Sequence, residues 1–216
     1  MIPAARLILA GLAVASLATC KRSSGGLLAP SAEALAKRAP DSFRVEFETT
    51  KGKFVVRAVR AWAPNGVDRF HYLARNHYYD SVKFFRALPN FVVQFGLHGD
   101  PAINDVWKEL KIPDDSVKES NQKGMLTYAM GGPNTRGAQL FINLRDNRRL
   151  DAMGFAPIGR VVEGMAVVES LFTGYGEGPP AGRGPDQARI RKEGNAYLAR
   201  EFPQLDRITK TRVLKD

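Results

Sequence analysis

The sequence predicts a mainly β protein whose short strands form a closed or sandwiched antiparallel sheet. Apolar and polar residues alternate over 43–48, which is the period of a strand with one buried face. Farther along, short apolar runs recur at close intervals, and each is bounded by Gly, Pro, Asn or Asp, as in barrels and sandwiches. These runs predict strands at 82–88, 91–96, 124–130, 140–144 and 155–161.

The first predicted elements are a hairpin and a helix. The turn Lys51-Gly52 joins the alternating stretch 43–48 to the apolar run 54–59, which predicts a hairpin. A helix is expected to begin near Pro64, because proline is well tolerated in a first helical turn. Its buried face is predicted from the spacing of Val67, Phe70, His71, Leu73 and Ala74.

The last third of the chain is predicted to contain two helical segments, a loop and a final strand. Met165, Val168 and Leu171 have helical spacing and predict a helix over 162–172. The stretch from 174 to 185 is rich in Gly and Pro and predicts a loop. A helical pattern at 195–202 and a strand at 208–214 follow. We call residues 174–206 the insertion, because they precede the last strand.

The N-terminus resembles an export signal. Arg6 precedes an apolar run at 7–19, which is shorter than the roughly 20 residues of a membrane-spanning helix. The run ends at Cys20, followed by Lys21 and Arg22, an arrangement that resembles a bacterial lipoprotein signal with a lipidated cysteine. The alternative is an ordinary secretory peptide with an incidental cysteine.

This reading divides the chain into three parts. Small and polar residues dominate the segment after the signal, which is typical of a tether. An exported protein is therefore expected, either periplasmic or a membrane-anchored lipoprotein, with the membrane as a partner. The division is a signal peptide at 1–20, a tether at 21–41 and a domain at 42–216.

Composition excludes several kinds of chemistry. Cys20 is the single cysteine among 216 residues, so no intramolecular disulfide is possible. The formal net charge of +10 is scattered, and no nucleic-acid recognition motif accompanies it, so we expect a solvated basic surface and no nucleic-acid partner. His71, His77 and His98 lack ligands at zinc spacing, and we expect no metal and no cofactor.

Spaced motifs in the middle of the chain carry a family resemblance. In order, they are Phe84-x-Arg86, Pro89-x-Phe91-x-x-Gln94, Gly132-Pro133-Asn134-Thr135, Gln139-x-Phe141-Ile142, Leu150-Asp151 and Gly159-Arg160-Val161-x-Glu163-Gly164-Met165. Together they resemble the cyclophilin family of peptidyl-prolyl isomerases, over about 43–172. The resemblance implies a closed eight-stranded antiparallel barrel capped by two α-helices, and isomerase activity without a cofactor.

The resemblance also implies an active site. Arg86 resembles the family's catalytic arginine, and Gln94 the glutamine that orients it and contacts the substrate backbone. Ala129 and Met130 match a strand that pairs with the bound peptide. The residues implied to bind substrate are Phe91, Val92, Ala129, Met130, Gln139, Phe141, Leu150 and Phe155.

The sequence departs from the family pattern at several positions near this site. Phe85 stands where the family usually has His, with little effect expected, and Arg149 stands where a Trp often precedes Leu-Asp. Met130 replaces a common Asn, Phe155 lies near the position of a pocket histidine, and the loop at 94–100 is longer.

The expected function is isomerisation of X–Pro bonds in unfolded or extended polypeptides, assisting folding outside the cytoplasm. The alternative is a non-catalytic module that binds proline-containing peptides as a chaperone or scaffold. Holding a proline ring requires only the apolar walls Phe91, Phe141 and Leu150. Arg86 and Gln94 are not needed for that, so their presence favours catalysis.

Overall fold

A computed structural model describes residues 25–214. The proposed signal peptide and Cys20 therefore lie outside the described residues. Within residues 25–214, eight antiparallel strands form one sheet in the order β3-β4-β6-β5-β7-β2-β1-β8. The strands are β1 Ser42–Thr49, β2 Gly52–Val59, β3 Arg86–Ala87, β4 Val92–Phe95, β5 Met125–Tyr128, β6 Leu140–Asn143, β7 Pro157–Glu163 and β8 Ile208–Val213.

In the described part of the chain, six α-helices accompany the sheet, together with one 3₁₀ helix at Arg148–Leu150. None of the helices between residues 25 and 214 has the length and apolar character needed to cross a membrane. The helices are α1 Gly25–Leu28, α2 Ala32–Leu35, α3 Pro64–Arg75, α4 Pro101–Trp107, α5 Met165–Glu169 and α6 Gln187–Glu201.

The sheet is a curled half-barrel, and the closed barrel expected from the resemblance is corrected here. The edge strands β3 and β8 do not pair with each other as strands. The segment before β3 and the start of β8 are linked by an isolated bridge between Lys83 and Arg207. Backbone hydrogen bonds flank it, in which the N–H groups of Ser81, Phe84 and Ile208 donate to the carbonyls of Ile208, Asp206 and Val82, respectively. β3 is limited to two residues, so it presents too little backbone to form a ladder with β8.

The main core lies inside the curl of the sheet. Phe43, Val45 and Phe47 of β1 are buried, as the alternation predicts, and the polar residues between them face outward. The rings of Phe47 and Phe54 stack across the β1–β2 hairpin at 4.9 Å between centroids. Helix α3 covers this core with Val67, Phe70, Leu73 and Ala74, as predicted; His71 is only partly buried.

The segment expected to be a tether packs on the domain from residue 25 onward. Leu27 is buried in the main core, and its carbonyl accepts a hydrogen bond from Nε1 of Trp107 at 2.9 Å. Ala39 is also buried, and its backbone N–H donates to Asp68 Oδ1 at 2.8 Å. A few apolar residues in a polar segment are thus enough to fix it, which the overall composition did not indicate.

The insertion builds a second hydrophobic core. Its helix α6 begins earlier than predicted and bends at Gly194, where a side chain would collide with the carbonyl of Gly99. By contrast, the helix predicted at 162–172 is reduced to the five residues of α5. The second core consists of Phe85, Leu97, Ile190, Tyr197, Leu198, Phe202 and Leu205, with Tyr175 packed against it.

Candidate active site

Alternation along the strands separates the site from the main core. In β4, Val93 and Phe95 belong to the main core, whereas Val92 and Gln94 face the opposite side of the sheet. In β6, Phe141 likewise faces away from the side on which its neighbours are buried in the main core. The outer face of β4 and β6 is thus where the predicted site residues gather.

Strand register places the key residues in one row. Arg86 of β3 lies opposite Gln94 of β4, and Gln94 lies opposite Phe141 of β6. Residues directly opposite each other on one face of antiparallel strands have side chains in contact range. The register therefore brings a cation, an amide and an aromatic ring together without any contribution from loops.

A hydrogen-bonded chain orients the arginine. Arg86 Nη1 donates to Gln94 Oε1 at 3.1 Å, and Gln94 Nε2 donates to Gln139 Oε1 at 2.9 Å. Gln94 is buried, so its amide is held by these partners rather than by water. The guanidinium carbon of Arg86 lies 5.6 Å from the centre of the Phe91 ring. The cation is thereby fixed beside an aromatic surface.

Apolar side chains form a separate hollow next to this arginine, which we call the proline pocket. Phe141 and Phe155 meet edge to face at 5.8 Å between centroids. Leu150 is held at the end of the 3₁₀ helix, and the following Asp151 accepts two hydrogen bonds from Asn121, each of 2.8 Å. The pocket is lined by Val92, Phe141 and Leu150, with Phe91, Ala129 and Phe155 at its edge.

The hollow is part of a cavity of about 730 Å³. Its lining contains every residue to which the sequence assigned a catalytic or substrate-binding role, so the structure brings all of them together. Ala129 and Met130 differ from expectation in one respect, because β5 ends at Tyr128 and both residues follow the strand. Ala129 remains tied to the neighbouring segment through its N–H, which donates to the carbonyl of Gln139 at 3.0 Å.

The sequence motifs, the fold and this site agree with a comparison with protein families. The model of the family described as "Cyclophilin type peptidyl-prolyl cis-trans isomerase/CLD" matches residues 44–192. The chain belongs to this family. It is a cyclophilin-type peptidyl-prolyl cis-trans isomerase domain, and the resemblance inferred from the motifs is confirmed.

Curated relatives carry the same activity in their names. A peptidyl-prolyl cis-trans isomerase of Acinetobacter baylyi is 32% identical over 155 residues, which are 68% of this chain and 78% of that protein. A peptidyl-prolyl cis-trans isomerase-like 1 of Emericella nidulans is 32% identical over 138 residues, covering 59% of this chain and 80% of the relative.

Solved structures share the cyclophilin fold. A cyclophilin from Hirschia baltica superposes with a TM-score of 0.59 at 18% identity, covering 83% of this chain and 77% of its own. A cyclophilin-type isomerase of Cryptosporidium parvum, solved in the presence of the dipeptide Ala-Pro, gives a TM-score of 0.58 at 18% identity and covers 80% of this chain and 99% of its own.

The sequence did not indicate that the insertion reaches this cyclophilin site. Glu177 binds Arg86 through both carboxylate oxygens, with Nε donating to Oε1 at 2.7 Å and Nη2 donating to Oε2 at 2.6 Å. Gln187 and Arg191 of α6 line the cavity itself. No motif marks these residues. Their one sequence signal is the Gly/Pro-rich composition of a segment long enough to fold back.

The titratable groups that line the cavity are basic side chains and one tyrosine. The hydrogen bonds from Arg86 hold the pKa of Glu177 below its usual value. Burial lowers the pKa of His71 and of His98, so both rings are neutral near neutral pH, and neither lines the cavity. Between residues 25 and 214, no cluster of three or more His, Cys, Asp or Glu side chains is arranged to hold a metal ion.

Proposed function

We propose that this isomerase acts on X–Pro bonds of unfolded or extended polypeptides outside the cytoplasm, with Arg86 as its catalytic residue and Gln94 as the residue that orients it. The observation that carries the proposal is that the Arg86 guanidinium lies beside the proline pocket, an apolar hollow suited to a proline ring. The dipeptide Ala-Pro in the structure of the Cryptosporidium relative supports the same ligand class.

The chemistry required is rotation about one amide bond. Conjugation of the nitrogen lone pair with the carbonyl gives that bond a barrier of about 18–20 kcal/mol. When the bond twists, the lone pair is released and becomes a hydrogen-bond acceptor. An N–H of Arg86 directed at the proline nitrogen therefore stabilises the twisted state more than either planar isomer, which accelerates the reaction. No covalent bond is broken, so the reaction requires no cofactor and no proton transfer.

The other residues hold the two sides of the bond. The proline pocket keeps the ring in place, because burial of apolar surface is favourable and the walls offer no competing hydrogen bonds. Gln94 and Gln139 lie at the polar rim, where amides can bind peptide backbone. The carbonyl side of the bond then rotates while the ring stays fixed.

The second candidate is a module that binds proline-containing segments without turnover. It is favoured by the volume of the cavity, about 730 Å³, which exceeds what one ring fills. The fixed geometry of Arg86 favours catalysis instead, because a binding pocket gains nothing from orienting a guanidinium at a nitrogen that accepts no hydrogen bond in the planar ground state.

A protease-coupled assay on an Ala-Pro peptide separates the two candidates. We expect Arg86→Ala to lower kcat/KM by about 10²–10³-fold, the usual effect of removing one donor that stabilises a transition state. Binding of a trans-locked proline peptide should change much less. Rates at the uncatalysed level for both the wild type and a folded Arg86→Ala variant would favour the binding module, whereas equal catalysed rates would remove Arg86 from the mechanism.

We also propose that Cys20 is lipidated and anchors the domain to a membrane outside the cytoplasm. The support is the apolar run at 7–19 followed by Cys20 and two basic residues. Since X–Pro isomerisation takes tens to hundreds of seconds unaided, a compartment that receives unfolded chains gains from catalysis. Expression of the full chain and of Cys20→Ser, followed by membrane fractionation, tests the anchor. Equal amounts of both proteins in the membrane fraction would argue against lipidation.

A further inference from the structure

Glu177, which lies outside the family motifs named above, accepts the shortest hydrogen bonds from the side chain of Arg86. Its carboxylate accepts from Nε and Nη2 in a two-pronged pair at 2.7 and 2.6 Å. The two residues are 91 positions apart in the chain, and both side chains are largely shielded from solvent, with 20% of Arg86 and 33% of Glu177 exposed. Paired, planar contacts of this kind fix a guanidinium in both position and orientation.

The carboxylate of Glu177 leaves part of the Arg86 guanidinium free to contact a substrate. Arg86 lines the cavity, whereas Glu177 is absent from its lining. An arginine has five N–H donors, and three are engaged, two by Glu177 and one by Gln94. Two donors on the terminal nitrogens therefore remain for a ligand. Glu177 therefore binds the guanidinium from outside the cavity lining and leaves these two donors free.

The insertion is folded so as to hold Glu177 in place. The carbonyl of Glu177 accepts a hydrogen bond from the N–H of Gly184 at 2.8 Å. Gly182 packs so closely on the same carbonyl that a side chain there would collide with it. Two residues before Glu177 in the chain, Tyr175 packs on Phe202 of the second core at 4.9 Å between ring centroids. The loop is thus anchored on both sides of the residue that contacts Arg86.

We propose that Glu177 is a positioning residue for the isomerase reaction, supplied by the insertion, which holds Arg86 in the orientation that stabilises the twisted amide. An unrestrained arginine side chain samples many rotamers, and ordering it only in the transition state would add its conformational entropy cost to the reaction barrier. Because Glu177 orders the side chain beforehand, that cost is not added. The proposal rests on the proposed role of Arg86. It adds a third member to the pair Arg86–Gln94 and gives the insertion a function.

The test is a kinetic comparison of three variants on the full chain. Glu177→Ala removes both hydrogen-bond acceptors, and Glu177→Gln keeps the shape and one acceptor but loses the charge. Glu201→Gln is the matched control, because Glu201 lies in the same insertion and pairs with Arg189 at 2.7 Å, away from the cavity. We expect kcat to fall about tenfold in Glu177→Ala, the size expected for disordering one long side chain.

The pattern across the variants distinguishes positioning from other roles. KM should stay within about twofold in Glu177→Ala, because the pocket walls are untouched and uniform binding is unchanged. Glu177→Gln should recover part of kcat, and Glu201→Gln should match the wild type. A higher kcat in Glu177→Ala would show that the carboxylate restrains the arginine and would overturn the proposal. An unchanged kcat with a lower melting temperature would assign Glu177 a structural role alone.

A double-mutant cycle shows whether Glu177 acts through Arg86. In the Arg86→Ala background, the change Glu177→Ala should have no further effect on kcat, since the side chain that it positions is gone. An additional tenfold loss in that background would overturn the proposal. The cycle also keeps the two hypotheses apart. If Arg86→Ala alone retains wild-type activity, the proposed role of Arg86 fails, and this is seen before Glu177 is changed.

Discussion

The proline pocket and the insertion reach the same cavity by different physical routes. Strand register fixes the row Arg86–Gln94–Phe141, which runs beside the pocket into its wall, through backbone ladders. The insertion places Glu177 beside Arg86 through a loop that depends on its own hydrophobic core. On the roles proposed above, the family fold sets the substrate contacts, and an addition to that fold helps to orient the catalytic side chain.

The largest effect is expected when the side chain that connects these two regions is truncated. Phe85 is buried in the second core and directly precedes Arg86 in the chain. We expect Phe85→Ala to lower the free energy of unfolding by about 3–5 kcal/mol, because a large ring leaves a cavity. Urea unfolding measures this loss. The exposed Met153 is the control, and Met153→Ala should change stability by less than about 0.5 kcal/mol.

Phe85→Ala also tests the link between the second core and catalysis. If the insertion holds Arg86 through Glu177, the folded fraction of this variant should have a lower kcat than the wild type. A variant that loses stability but keeps full kcat would separate the second core from the active site. The expectation drawn from the sequence, that replacing the family's histidine by Phe85 has little effect, would then hold for activity.

For a wall of the proline pocket we expect the opposite pattern, a large loss of activity with a small loss of stability. Phe91 is only half-buried, so it contributes little to folding, but it lines the cavity beside the guanidinium groups of Arg86 and Arg149, where we propose that its ring contacts the substrate proline. We expect Phe91→Ala to lower kcat/KM by roughly thirtyfold, equivalent to about 2 kcal/mol of apolar contact. The change in unfolding free energy should be smaller than that of Phe85→Ala, and the reverse order would contradict the assignment of the two clusters.

Phe85 and Phe91 also show how much of the structure could be predicted from the sequence. The position of Phe91 at the cavity was predictable, because it lies in a spaced motif and because alternation along the following strand determines which side chains face away from the core. Phe85 satisfies the same alternation, yet its partners in 190–205 lie more than 100 residues away. No local rule pairs residues at that separation. Helix α4, in contrast, was missed although Asp100-Pro101 is a typical helix start, and Asp100 Oδ1 accepts from the N–H of Ala102 at 2.9 Å.

A smaller effect is expected from the charge that the insertion adds to the cavity. Arg191 lines it together with Lys108, Lys111 and Arg149, and none of the described residues in the lining is acidic. Burial, and then the charge of Arg191, lower the pKa of Lys111. Peptides with a glutamate near the proline should therefore be favoured over those with glutamine.

Peptide pairs that differ only in that glutamate measure the preference. We expect a few-fold advantage in kcat/KM for the acidic peptide at low salt, the scale of partly exposed charge pairs, and a loss of the advantage at high salt. Arg191→Gln should reduce the advantage, whereas Lys192→Gln, which alters an exposed neighbour on α6, should not. An acidic preference that survives Arg191→Gln would assign the selectivity to the cavity residues outside the insertion.

The smallest effect predicted is that of pH, and it separates the two regions most cleanly. The proline pocket contains no group that titrates near neutral pH, so kcat/KM should stay level from about pH 6.5 to 9. The pair Glu177–Arg86 responds only to acid. Because the pKa of Glu177 is lowered in the folded protein, the stability that the pair contributes is present above the unfolded value of 4.5 and is lost as the pH falls through the folded pKa. The difference in unfolding free energy between the wild type and Glu177→Gln should therefore be constant above about pH 5 and shrink below it. A difference that instead changes between pH 6 and 8 would require another titrating group at the pair, and the picture of an insertion that holds the arginine through one carboxylate would be wrong.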